Sequence, residues 1–227
     1  MNDNVLVVAA HPDDEVLGCG ATMARLADEG RSVYVMILGE GVTSRDESRD
    51  GQKRASDLED LKVTARASNA VLGIKDVFFG DLPDNRFDSV PLLDVIKKVE
   101  SVIDRVEPSL VFTHYEYDLN IDHKVTSLAV KTATRSIMGS PVRELLAFSV
   151  LSSTEWNYGA NPYSPNVFFD ISGYLDKKLD AMSLYEGELR DWPHPRSLKA
   201  IEHEARLRGC YVGCDGAEGF VGLRSIK

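Results

Sequence analysis

His11-Pro12-Asp13-Asp14, followed directly by Glu15, places a histidine and two aspartates within four positions. Together they offer an imidazole nitrogen and several carboxylate oxygens, the ligand types that suit zinc. Acids packed this closely repel one another unless a cation or a helix N-terminus offsets them. Asp13 and Asp14 could instead serve only as helix caps, but a cap needs one carboxylate and no histidine. A second cluster lies in residues 110–123, L-V-F-T-H-Y-E-Y-D-L-N-I-D-H, and holds His114, Asp118, Asp122 and His123. His11, Asp14 and His123 would form a two-histidine, one-carboxylate set with a position left for water. That is the composition of a catalytic zinc site rather than a structural one.

The elements that must position these residues are legible from periodicity. Five apolar residues, Val5–Ala9, predict a strand buried on both faces. Val16, Leu17, Thr22, Met23 and Leu26 then recur at helical spacing up to Gly30. In an open parallel sheet, the acidic turn between them lies at the carboxyl end of a strand, where such sheets build their sites. Residues 110–113 read as another buried strand, followed by a helix over 124–137. Further strands are expected at 31–38, 76–79, 144–151 and 167–171, and further helices at 58–72, 92–106, 174–189 and 197–208, with a short terminal segment after them. This alternation predicts an α/β fold, a single-domain Rossmann-like three-layer sandwich with a mostly parallel sheet and helices on both faces. No Gly-x-Gly-x-x-Gly opens the first helix, which disfavours a dinucleotide cofactor.

Composition narrows the partners. A chain of 227 residues with 43% apolar content suits one domain spanning residues 1–227 with a sizeable core. Its net charge of −10 argues against nucleic acid or an anionic membrane as the main partner. No apolar run approaches the ~18 residues of a membrane span. The first residues carry Asp3 and no basic segment, so no secretory signal is read there. Cys19, Cys210 and Cys214 form no disulfide pattern, which fits a cytoplasmic protein.

His11-Pro12-Asp13-Asp14-Glu15 after a valine-rich strand, with Asp118-x-Asn120-x-Asp122-His123 further on, resembles the PIG-L/LmbE-like family of zinc-dependent sugar N-deacetylases. The resemblance extends to Gly80-Asp81-Leu82-Pro83-Asp84, to residues 152–156 and to His194-Pro195-Arg196-Ser197. It implies that His11, Asp14 and His123 bind one Zn2+ per chain, with another divalent ion possible, and that Asp13 is the general base for the attacking water. Many members carry a histidine where this chain has Asn120. An Asn donates a hydrogen bond to an oxyanion but delivers no proton, so His194 is expected to supply the acid. Asp84 is expected to hold sugar hydroxyls, as carboxylates accept them in pairs. Asp118 or Asp122 is expected to orient His123 through its other ring nitrogen.

Residues 42–60 are a candidate lid or a surface loop, Lys62 stands where relatives often carry a substrate-contacting arginine or else on a solvated helix face, and Trp156 and Tyr158 are candidate walls of a sugar site. The resemblance also implies a small-molecule amino-sugar substrate and a homo-oligomer, a trimer or hexamer. Two other classes stay open. One is a metallohydrolase of the phosphoesterase type, which would usually hold two metals; the other is a sugar-binding relative without chemistry.

Overall fold

Strand β1 (Val5–Ala9) is buried along its whole length, because helices cover both of its faces. The computed structural model describes residues 3–43, 54–159 and 161–227. Within them α1 (Asp14–Asp28), β2 (Val33–Gly39), α2 (Ala55–Val71), β3 (Asp76–Leu82), α3 (Leu92–Val106) and β4 (Leu110–His114) follow in order. Then come α4 (Ile121–Ala133), β5 (Glu144–Phe148), β6 (Val167–Asp170), α5 (Leu175–Ser183), α6 (Leu198–Val212) and β7 (Ala217–Ser225). The strands form one seven-stranded sheet in the order β3-β2-β1-β4-β5-β7-β6. β1 to β5 pair in parallel, and β7 is antiparallel to both β5 and β6.

Alternate residues of each strand face opposite ways, and two apolar layers result. Val5 and Val7 pack with Val35, Phe112 and Phe220 against α1, α2, α5 and α6. Leu6 and Val8 pack with Met36, Leu38 and Val111 against α3 and α4. α3 shows how its sequence chooses a face: Val95, Ile96, Val99, Val102, Ile103 and Val106 recur every three or four residues and are all buried. It ends at Glu107 in the left-handed conformation, just before Pro108. The expected three-layer α/β sandwich is the observed one.

Several boundaries differ from those expected. The helix predicted over 174–189 ends at Ser183; Leu184 and Tyr185 close it with i→i−3 bonds, and Gly187 follows. α4 begins at Ile121, earlier than expected, because the Asn120 side chain accepts a hydrogen bond from Asp122 N and caps it. The terminal segment is strand β7. Gly219 and Gly222 weaken its strand signature, and pairing with two distant strands supplies what local propensity lacks.

α1 is kinked at Cys19, whose φ of −151° breaks the helical path. The backbone groups freed there are taken by a buried ion pair from other elements. Glu218 accepts from Ala21 N at 3.2 Å and Thr22 N at 2.7 Å, while Lys178 Nζ donates to Leu17 O at 2.8 Å and to Glu218 at 2.6 Å. The first turn of α1 carries Asp14, so this repair holds the acidic turn against the sheet.

Candidate active site

The sheet order decides where a site can form. From β1 the chain moves outward to β2 and β3, then returns to β4 on the other side, opening a crevice at the carboxyl ends of β1 and β4. The turn after β1 carries His11 to Asp14, and the loop after β4 leads to His123 in the first turn of α4. Gly39 lets β2 close on this turn: its N–H donates to Ala10 O at 2.7 Å, and a Cβ there would lie 2.8 Å from that oxygen.

Three candidate ligands converge. His11 Nδ1 and His123 Nε2 each lie 3.2 Å from Asp14 Oδ2, and one ligand atom from each residue falls within 4.8 Å of the others. Ligand atoms on a tetrahedral zinc ion are about 3.3 Å apart, given bonds of about 2.0–2.1 Å. The residues therefore fit zinc or a similar divalent ion. The far nitrogens are held by acids. Asp122 Oδ2 lies 2.9 Å from His11 Nε2 and Asp118 Oδ1 3.2 Å from His123 Nδ1. Asp118 is itself fixed by the Ser153 and Thr154 hydroxyls and by Asn120 N, and Asp122 by Phe87 N. The sequence allowed Asp118 or Asp122 to orient His123; Asp118 does so, and Asp122 turns to His11 instead.

His11, Asp84 and Asp122 form a second grouping. It would use His11 Nε2, which lies within hydrogen-bond distance of Asp122. His114 is fully buried and belongs to neither grouping; its Nε2 accepts from Ala10 N at 2.8 Å. Its ring instead stacks on His123, with centroids 4.0 Å apart.

Charge in the bare chain follows from these contacts. Burial opposes the charged form of both histidines. Asp122 and Asp14 nevertheless raise His11 well above its ordinary value, and Asp14 with Asp118 raises His123 to about 9. Burial likewise opposes ionisation of Asp14, but the His123 charge and the hydrogen bonds of both histidines hold it well below the usual carboxylate range. Asp13 goes the other way, pushed up by burial and by the neighbouring Asp14. Burial and the His123 charge lower His114. The cluster thus gathers positive charge around Asp14, which a cation would supply in place of protons.

A cavity of about 370 Å³ lies over this cluster, with Asp13, Asp84, Asn120, Trp156, Arg190 and Arg196 among its walls. Asp84 is buried, its Oδ1 3.4 Å from His11 Nε2. Asn120 uses its Oδ1 to cap α4 and one Nδ2 hydrogen on Asn85 at 3.1 Å; its amide has a second hydrogen. His194 does not line the cavity in this chain. Its Nδ1 accepts from Arg196 N, and its ring stands edge-on to Trp156. Lys62 pairs with Asp81 at 2.6 Å and is not among the cavity's walls. The lid expected over 42–60 falls largely on 44–53, outside the described residues; α2 already begins at Ala55.

Arg196 was quoted in the sequence only as part of a motif. In the structure its Nη1 lies 3.4 Å from Asp13 Oδ2 and 3.2 Å from Glu188. Glu188 and Arg190 carried no sequence signal; they reach the cavity from turns after α5.

A doubly wound sheet with a two-histidine, one-carboxylate cluster at its switch point defines an α/β protein with a candidate metal centre. Residues 6–134 match the PIG-L family, described as GlcNAc-PI de-N-acetylase, and the chain belongs to that family. It is 27% identical over 190 residues to the probable N-acetyl-alpha-D-glucosaminyl L-malate deacetylase 2 of Bacillus cereus, covering 83% of this chain and 84% of that protein. It is 28% identical over 245 aligned positions to the 4-oxalmesaconate hydratase of Pseudomonas putida, covering 98% and 89%. Its fold is that of N,N'-diacetylchitobiose deacetylase from Pyrococcus horikoshii, with a TM-score of 0.77, 20% identity and coverage of 98% and 84%.

Proposed function

We propose that this chain removes the N-acetyl group from an N-acetylglucosamine-type amino sugar or its conjugate, using one divalent cation, zinc in the first instance, held by His11, Asp14 and His123. The observation that carries the reading is the convergence of these ligand atoms within 4.8 Å beneath a cavity, with a second acid, Asp13, beside them. Membership of the family and the deacetylase relative support the reaction class. A bound cation supplies Lewis-acid polarisation of the attacking water and of the amide carbonyl.

The chain's own residues do the rest. Asp13 accepts the proton of the attacking water at its carboxylate and passes it toward the leaving amine. Its Oδ2 is turned to Arg196, which leaves Oδ1 for that exchange. Asn120, at the cavity wall, donates its spare Nδ2 hydrogen to the developing oxyanion. Asp84 accepts sugar hydroxyls at the cavity wall. His194 would act as an acid only by entering the cavity of a neighbouring subunit, and a homo-oligomer, trimer or hexamer, is part of this proposal. So is a cytoplasmic location, supported by three free cysteines. Residues 1–227 are taken as one catalytic unit, supported by the pairing of β7 with β5 inside the same sheet. Among the described residues, no helix is long and apolar enough to cross a membrane.

The test is acetate release from free, nucleotide-linked, malate-linked and chito-oligomeric N-acetylglucosamine, with zinc-loaded and chelated protein. Zinc-dependent release from any of them supports the reading; silence across the panel overturns it. A second reading rests on the hydratase relative, which is similar over nearly the whole chain. Asp13 would then direct water onto a carbon–carbon double bond conjugated to carboxylates. Loss of ultraviolet absorbance from an unsaturated di- or tricarboxylic acid, without acetate release from the sugars, would select it.

A further inference from the structure

Asp13 has a backbone conformation that L-residues rarely adopt, with φ 107° and ψ −31°. Such geometry persists only where its surroundings over-determine it. The restraint on its N–H is Glu15, which is fully buried and accepts from Asp13 N through Oε2 at 3.1 Å. The other oxygen of Glu15 points away from the cation site. It accepts from Tyr185 Oη at 2.7 Å and from Asn69 Nδ2 at 2.8 Å. Asn69 belongs to α2 and also donates to Ala65 O, while Tyr185 follows α5, and both are buried. The amide of one acid is thus tied, through a second acid, to two separate elements of the fold. A helix cap would not need such an anchor: the first turn of α1 is already closed by Asp13 O, which accepts from Val16 N and Leu17 N.

We propose that Glu15 is a positioning residue for Asp13, clamping its amide so that the Asp13 carboxylate is presented to the cavity, with Tyr185 and Asn69 as the anchor of the clamp. The proposal rests on the reading of Asp13 as the base. Glu15 itself is neither among the cavity's walls nor in the candidate ligand set. A small misplacement of a base is costly, because proton transfer depends on near-ideal reach and angle.

The experiment compares the zinc-loaded full chain with its Glu15→Gln and Tyr185→Phe variants in three measurements: hydrogen exchange of the Asp13 backbone amide by NMR, zinc content, and kcat and KM for acetate release. Tyr185→Phe keeps the ring and is the variant expected to fold in any case. The clamp predicts Asp13 amide exchange on the order of tenfold faster in Tyr185→Phe and faster still in Glu15→Gln. It also predicts kcat lowered by about tenfold or more, with KM and zinc content unchanged. Unchanged Asp13 exchange in Tyr185→Phe overturns the clamp. Equal acceleration across all α1 amides also overturns it, since that is the mark of a packing role alone. Should the parent chain release no acetate, the proposed function fails, while the amide exchange still decides the clamp.

Discussion

Asp122 Oδ2 lies 2.9 Å from the Nε2 of His11, 111 positions earlier in the chain. Asp122 is adjacent in sequence to His123, yet its side chain serves the other histidine. α4 begins at Ile121, and one residue of a helix points about 100° away from the next. His123 therefore faces Asp14 while Asp122 faces back toward His11 and Phe87 N. With Asp118 on His123, each imidazole carries its own carboxylate.

These acids should matter to the metal. Asp122→Asn and Asp118→Asn are each expected to weaken zinc binding by roughly 10–100-fold, read by competition with a chromophoric chelator. Wild-type affinity in both variants would remove the carboxylates from the ligand-orienting role.

The base can be separated from the ligands. Asp13→Asn should retain one zinc per chain and lower acetate release by roughly 10²–10⁴-fold, measured as metal content alongside turnover. Turnover at the parent rate would exclude Asp13 as the base.

Metal uptake should release protons. His123 has a pKa of about 9 in the bare chain, and His11 is also raised, so both carry protons near neutrality, whereas a ligand histidine must be neutral. Zinc affinity is therefore expected to rise with pH up to about 9 and then level off for His123. Calorimetry in two buffers of different ionisation enthalpy reads the proton count directly. Identical heats in both would contradict protonated histidines.

Two buried contacts outside the ligand set make stability predictions. His114→Phe keeps a ring against His123 but leaves Ala10 N without its acceptor. It should destabilise the chain by about 1–3 kcal/mol in urea unfolding.

Glu218→Gln leaves Lys178 buried without its counter-charge at the kink of α1. A loss of about 3–5 kcal/mol is expected in the same assay, and an unchanged midpoint would show that the kink stands without the pair.

Local pattern carried much of this protein. The five apolar residues of β1, the stripe of α3 and the alternation of strands with helices are short-range signals, and they were enough for the sandwich and for placing His11–Asp14 at a strand end. That His11, Asp14 and His123 come together was likewise legible, because both donor clusters follow strands that periodicity marks. β7 was not legible: glycines dilute its pattern, and its pairing is with strands far away in sequence. Nor was the assignment of Asp118 to His123 and Asp122 to His11, which depends on the rotation of α4 against β1. Glu15, Tyr185 and Asn69 look like an acid, an aromatic and an amide in unrelated segments, and only packing makes them one network. Periodicity reports which face of an element is buried. Which two side chains meet across that face is decided by how the elements sit together, and only the tertiary structure holds that information.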